Sequence, residues 1–335
     1  MKKVLMLLLS LLLVISMFTG CKAKDETVKT GLAVVSSIAK STPATAEAEG
    51  LAETDSTIVA VTVDKDGKIL DCKINAAQTK INFSAEGKLT TDVASTFKSK
   101  QELGTEYGMG TKSGIGKEWN EQADAFAAYV IGKTVDEVKG IAVTDAGVAA
   151  DADLASSVTI HIGDFIAAVT KAVTNAQDLG AKKSDKLGLG VSMDMENSKD
   201  AAADADGLAQ AYTYYIVTTS NTAGKITSCY IDASQGRVTF DATGVITNDL
   251  TIAPQTKDEL KDAYGMKAAS GLGKEWYEEA NAFATYATGK TLADLKGITI
   301  NADGAPTTTD LVSSVTINVG PFIASIEKAL TNAAK

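Results

Sequence analysis

The sequence holds one histidine (His161), one arginine (Arg237), four prolines and three cysteines among 335 residues. Each shortage closes a line of chemistry. A Ser-His-Asp triad or an imidazole-built zinc centre would have one imidazole to draw on, and a second copy of the segment carries Asn318 where His161 stands. With a single arginine and no basic cluster, recognition of phosphate by an arginine clamp has no support. The formal net charge is −10, and nucleic acid and anionic surfaces are poor partners for so acidic a chain.

Long apolar runs are equally scarce. One extends from Val4 to Phe18, broken by Ser10 and Ser16, after Met1-Lys2-Lys3 and before Thr19-Gly20-Cys21. A basic start, a short apolar stretch and small residues at the end describe an export signal (residues 1–20) rather than a membrane span. The Phe-Thr-Gly-Cys ending resembles a lipobox, which implies that Cys21 becomes the lipid-modified first residue of the mature chain, with 21–30 as anchor and tether. A plain secretory peptide with an incidental cysteine is the alternative. Removal of Lys2 and Lys3 leaves 30 basic against 42 acidic side chains, a net charge of −12. The other cysteines, Cys72 and Cys229, alternate with apolar neighbours at the spacing of a strand face and read as small buried hydrophobes.

What is present is a repeat. A shift of 157 residues, with no gap, lays Gly31-Leu32 on Gly188-Leu189, Tyr107-Gly108-Met109 on Tyr264-Gly265-Met266, and Gly116-Lys117-Glu118-Trp119 on Gly273-Lys274-Glu275-Trp276. Signal, anchor and two repeats account for the sequence as a tandem duplication with domains at 31–178 and 188–335. Strand patterns fall at Gly31–Ile38, Thr57–Val63, Lys68–Asn75 and Lys80–Phe83, with counterparts near 188–195, 214–220, 225–232 and 237–240. Asp66-Gly67 and Glu86-Gly87 are turn signals. A helix is expected from Lys117 to about Ile131, ended by Gly132, and Thr134-Val-Asp-Glu137 reads as a capping box for a short one. The last helix carries Ile162, Phe165, Ile166, Val169 and Val173 at helical spacing, matched by Val319, Phe322, Ile323, Ile326 and Leu330. Strands first and helices after predict an α+β fold, in which each repeat is an antiparallel sheet with helices packed on one side.

Several motifs fail on inspection. Gly132-Lys133-Thr134 and Gly289-Lys290-Thr291 look like the end of a P-loop, but its first glycine would fall at Ala127 and Ala284. Gly108-x-Gly110 precedes no βαβ crossover, and no spacing of carboxylates indicates a glycosidase pair.

The segment that remains is Asp153-Leu-Ala-Ser156-Ser157-Val-Thr159, repeated as Asp310-Leu-Val-Ser313-Ser314-Val-Thr316 ahead of the last helix. Hydroxyls, free backbone N–H groups and the positive end of a helix dipole together favour a phosphate. Simple helix capping by these side chains is the alternative, although a cap needs one such residue rather than an Asp and three hydroxyls.

This pattern resembles the FMN-binding domain of the flavin-carrying subunits of Rnf and sodium-translocating NADH:quinone reductase complexes and of Gram-positive extracellular electron-transfer lipoproteins. That family usually reads Asp-x-x-Ser-Gly-Ala-Thr, whereas Ser157 and Val158, with Ser314 and Val315, stand here. The resemblance implies two tandem FMN-binding-like domains in which a flavin transferase joins FMN to Thr159 and Thr316 through a phosphoester, Asp153 and Asp310 opening the recognition motif. Trp119, Trp276, Met109 and Met266, with Tyr107 and Tyr264, are candidates for the wall against the flavin ring; the tryptophans read equally well as core. The implied protein is a lipid-anchored electron carrier on the outer face of the membrane, taking electrons from an NADH dehydrogenase or quinol system. A non-redox binding or structural lipoprotein of the same fold is the alternative, and a flavin-dependent reductase with its own substrate ranks below both.

Overall fold

A computed structural model describes residues 25–334; the expected export signal and Cys21 lie outside them. Among the described residues no helix is long and apolar enough to cross a membrane.

Each repeat forms a three-stranded antiparallel sheet and then a set of helices. In the first, β1 (Lys29–Ser37), β2 (Gly50–Val63) and β3 (Ile69–Phe83) lie side by side in chain order; in the second, β4 (Lys186–Asp194), β5 (Gly207–Ser220) and β6 (Ile226–Phe240) do the same. The helices of the first repeat are α1 (Lys100–Leu103), α2 (Trp119–Val130), α3 (Val135–Lys139), α4 (Ala152–Ala155) and α5 (Gly163–Thr174). Their counterparts are α6 (Lys257–Leu260), α7 (Trp276–Ala287), α8 (Leu292–Lys296), α9 (Thr309–Val312) and α10 (Gly320–Ala333).

Local chemistry accounts for the boundaries. Gly67 takes φ +78° in the β2–β3 turn, where Asp64 Oδ1 accepts from the N–H groups of Asp66 and Lys68. Gly132 takes φ +82° just beyond α2, and Thr134 with Glu137 forms the expected capping box on α3.

Period-two alternation gives each sheet two buried faces. Val59, Val61 and Val63 of β2 join Phe126, Phe165 and Val169 in a core against the helices. Ile58 and Ala60 point the other way, into a core shared with Leu187, Leu189 and Tyr215 of the second repeat. The helices thus cover one side of each sheet, and the opposite repeat's sheet covers the other. The layers run helix, sheet, sheet, helix.

The contacts between repeats are reciprocal, as at an isologous interface. Ala44 N–H donates to the Gly244 carbonyl at 2.9 Å, and Ala201 N–H donates to Gly87 at 2.8 Å. Lys328 pairs with Glu102 at 2.8 Å, and Lys171 pairs with Glu259. The equivalent rings Phe83 and Phe240 stack on each other, centroids 4.2 Å apart and 5° from parallel.

The sheets approach closely enough to require small residues between them. A Cβ on Gly236 would lie 2.3 Å from Thr54 Oγ1. Three buried hydroxyls at this level satisfy one another: Tyr215 Oη donates to Ser56 Oγ at 3.2 Å and bonds Ser234 Oγ at 2.7 Å. Packing of the last helices is as tight, since a Cβ on Gly31 would meet the Ala172 carbonyl oxygen at 2.1 Å.

Two expectations are corrected. The runs 68–75 and 80–83 are one strand, β3, and β2 begins at Gly50 rather than Thr57. The small and polar residues that broke the apolar pattern, Thr54, Ser56 and Ala77 among them, are buried where the sheets meet. The stretch before Gly31 is not all tether, because Val28 is buried and its N–H donates to the Ala181 carbonyl at 3.0 Å.

A shared core predicts shared stability. Urea denaturation followed by circular dichroism is expected to show a single transition, with Phe240→Ala lowering stability by about 3–5 kcal/mol through the cavity left beside Phe83. Separate transitions for the two repeats would contradict this packing.

Candidate functional site

Thr159 and Thr316 are exposed, each four residues ahead of the last helix of its repeat. None of the preceding hydroxyls caps that helix, whose N-cap positions are Ile162 and Val319 with no side-chain cap bond. Ser156 Oγ instead donates back to the Asp153 carbonyl at 2.7 Å, and Ser314 Oγ donates to Leu311 at 3.1 Å, closing the one-turn helices α4 and α9. Asp153 and Asp310 lie within those turns and are exposed, as is Ser313, while Ser157 is half-buried.

The threonine turn is latched to the long helix behind it. In the first repeat, Gln122 of α2 is fully buried, and its Oε1 accepts from Thr159 N–H at 2.8 Å, Thr159 Oγ1 at 3.3 Å and Ile160 N–H at 3.3 Å. Its Nε2 donates to Ser113 Oγ at 3.1 Å. In the second repeat the same place holds Glu279, also fully buried. Its carboxylate accepts from Thr316 N–H at 2.6 Å, Thr316 Oγ1 at 3.0 Å, Ile317 N–H at 3.2 Å and Ser270 Oγ at 2.8 Å. Ser113 and Ser270 are equivalent, and the hydroxyl reverses its role to suit an amide or a carboxylate. The turn amides expected to be free for a phosphate are therefore occupied, and each threonine, although exposed as a residue, has its hydroxyl bonded into the same latch. The sequence signal for the latch was a polar residue on the apolar face of Trp119, Ala123 and Phe126.

An open cavity of about 330 Å³ starts at Ile160, lined by Thr57, Lys100, Trp119, His161 and Phe165 among others; Thr159 itself is not among its lining residues. Trp119 is buried in the core, its ring T-shaped to Phe165 at 5.8 Å and beneath the Lys100 ammonium, 5.5 Å from the centroid. Met109 and Tyr107 are not among the lining residues. Met109 is half-buried, its N–H held at 2.8 Å by Glu118 Oε2.

The second repeat departs at this point. Asp55 and Thr57 become Tyr212 and Tyr214, whose rings lie 4.5 Å apart, with Tyr214 edge-on to Phe322 at 6.0 Å. Trp276 is buried against the same Phe322 at 5.8 Å. Lys257, the counterpart of Lys100, is buried beneath these rings: its Nζ bonds Tyr212 Oη and sits 4.3 Å from the Tyr264 centroid and 4.8 Å from that of Trp276. Burial, with repulsion from Arg237, pushes Lys257 down to about 7, and burial drives the Tyr212 phenol well above its usual range. Met266 and Tyr264 line a separate cleft in the second repeat.

The cysteines are free and buried, facing the helices from β3 and β6; burial pushes the Cys229 thiol up to about 12. They are packing groups in this structure.

No family model matches the chain, and no solved structure matches it. Over 42 residues it is 50% identical to a protein named chlorophenol reductase from Desulfitobacterium hafniense. The stretch is 12% of this chain and 13% of that protein.

The latch predicts opposite outcomes for two substitutions. Glu279→Ala leaves the Thr316 and Ile317 amides without their acceptor and is expected to cost about 1–3 kcal/mol in urea denaturation. Glu279→Gln, which recreates the arrangement of the first repeat, is expected to cost less than about 1 kcal/mol.

Proposed function

We propose that the protein is an extracytoplasmic, lipid-anchored electron carrier that holds FMN through phosphoesters on Thr159 and Thr316, in domains of FMN-binding type. The observation that carries the reading is the repeated latch: in both repeats a buried Gln or Glu pins the turn and accepts from the hydroxyl of an exposed threonine. A flavin transferase would load these hydroxyls, and the lipid would be carried by Cys21. When bound, FMN supplies one- or two-electron exchange, suited to relaying electrons from a membrane NADH dehydrogenase or quinol system to an extracellular acceptor.

The residues of the first repeat fit the group. Thr159 is exposed, and the cavity that starts at the next residue, Ile160, offers the rings of Phe165 and Trp119 and the Lys100 ammonium. Gln122 keeps its hold on the turn through the Thr159 and Ile160 amides when Oγ1 gives up its proton to form an ester. In the second repeat Thr316 is equally accessible, but Tyr212 and Tyr214 occupy the equivalent space, so a ring there would lie on the outside of these phenols. Esterification of Thr316 would also set a phosphate against the Glu279 carboxylate, a repulsion absent beside Gln122. The short likeness to a protein named as a reductase agrees with a redox role.

Co-expression with a flavin transferase followed by denaturing electrophoresis tests the reading. Wild type is expected to fluoresce in the gel, Thr159→Ala and Thr316→Ala each to lose part of the signal, and the double variant to lose all of it. A dark wild-type band under these conditions would leave the non-redox lipoprotein as the better description.

A further inference from the structure

A cleft of about 650 Å³ opens in the second repeat. It is lined by Arg237, Lys257, Gln235, Asn248, Tyr264 and Met266, and Ile38 of the first repeat closes one side. In the first repeat Phe97 stands where the second has Pro254, and its ring packs into the core between the sheets. The duplicate positions thus differ in one bulky side chain, and the space opens where that side chain is missing.

Its polar groups converge. Arg237, the sole arginine of the chain, is Lys80 in the first repeat. Its Nε donates to Gln210 Oε1 at 2.9 Å and one terminal nitrogen donates to Gln235 at 2.7 Å, which fixes the plane of the guanidinium. Its other terminal nitrogen donates to none of the described residues. Lys257 is 3% exposed and has no carboxylate within ion-pair distance among the described residues. Its ammonium is held by Tyr212 Oη and by three ring faces instead. Around these two groups the wall is apolar and aromatic, from Tyr264, Met266, Ile252 and Leu260; the one acid among the lining residues, Asp249, is exposed and accepts from Thr251.

We propose that this cleft is a binding site for a small organic anion with a planar apolar body, such as an aromatic sulfonate or carboxylate, its charge between Arg237 and Lys257 and its ring against Tyr264 and Met266. A planar anion answers both halves of the site, since the fixed Arg237 guanidinium, with Lys257 across from it, meets the charged group and the aromatic wall covers the ring. No residue of either threonine turn lines the cleft, and binding there does not require flavin.

Calorimetric titration of the full chain with naphthalene-1-sulfonate is the test, with the uncharged naphthalene-1-sulfonamide alongside. One sulfonate is expected to bind per chain and the sulfonamide at least about tenfold more weakly. Arg237→Gln and Lys257→Met are each expected to weaken sulfonate binding by about tenfold or more, and Pro254→Phe, which restores the first repeat's plug, to abolish it. Circular dichroism of each variant separates lost binding from lost fold. Equal binding of sulfonate and sulfonamide, unchanged affinity in correctly folded Arg237→Gln and Pro254→Phe, or no heat with wild type overturns the proposal.

Discussion

The face-to-face contact of the two sheets is the constraint on which the rest of this molecule depends. Neither three-stranded sheet has a second covering of its own: helices shield one side, and the other would present Ile58, Ala60, Leu32 and Val34, or Leu187, Leu189, Val191 and Val217, to water. Burying those side chains together removes the exposure, at roughly 25 cal/mol for each Å² of apolar surface. The same contact dictates the composition of the strands. Gly236, Thr54 and Ser56 are small because the backbones come close, and Ser56 and Ser234 pair with Tyr215.

The contact also assigns the threonine turns to the outer layers. Because the sheets use their inner faces on each other, each set of helices lies outside, and the turn before the last helix carries its threonine at the surface. The two hydroxyls belong to opposite helical layers with both sheets between them. The reciprocal contacts nevertheless leave room for divergence at the periphery. Asp55 and Thr57 against Tyr212 and Tyr214, Gln122 against Glu279, and Phe97 against Pro254 give the repeats different charge and different free space on the same frame.

Much of this frame was legible in the residues. The constant offset revealed the duplication, Gly132 and Thr134 marked helix boundaries that the structure keeps, and the helical spacing of Phe165 and Val169 identified the face that packs on β1 and β2. The strands were harder to read, since the alternation rule looks for large apolar residues and the centre of the sandwich is built from small and hydroxylated ones. Thr159 and Thr316 stood out because both copies keep them, whereas Gln122 and Glu279 were hidden by being different in the two copies. Agreement between duplicates found the frame and the turns. The asymmetric cleft and the filled pocket lie where the duplicates disagree, and a single side chain such as Pro254 has no visible consequence until its neighbours are placed around it.

The central claim concerns two oxygen atoms. Peptide mapping by mass spectrometry of chain co-expressed with a flavin transferase locates any covalent adduct directly. The account predicts FMN less water on the peptides that contain Thr159 and Thr316, with the bond at the threonine oxygen and the Cys72 and Cys229 peptides unmodified. Bare threonine peptides, or an adduct carried by another side chain, would contradict it.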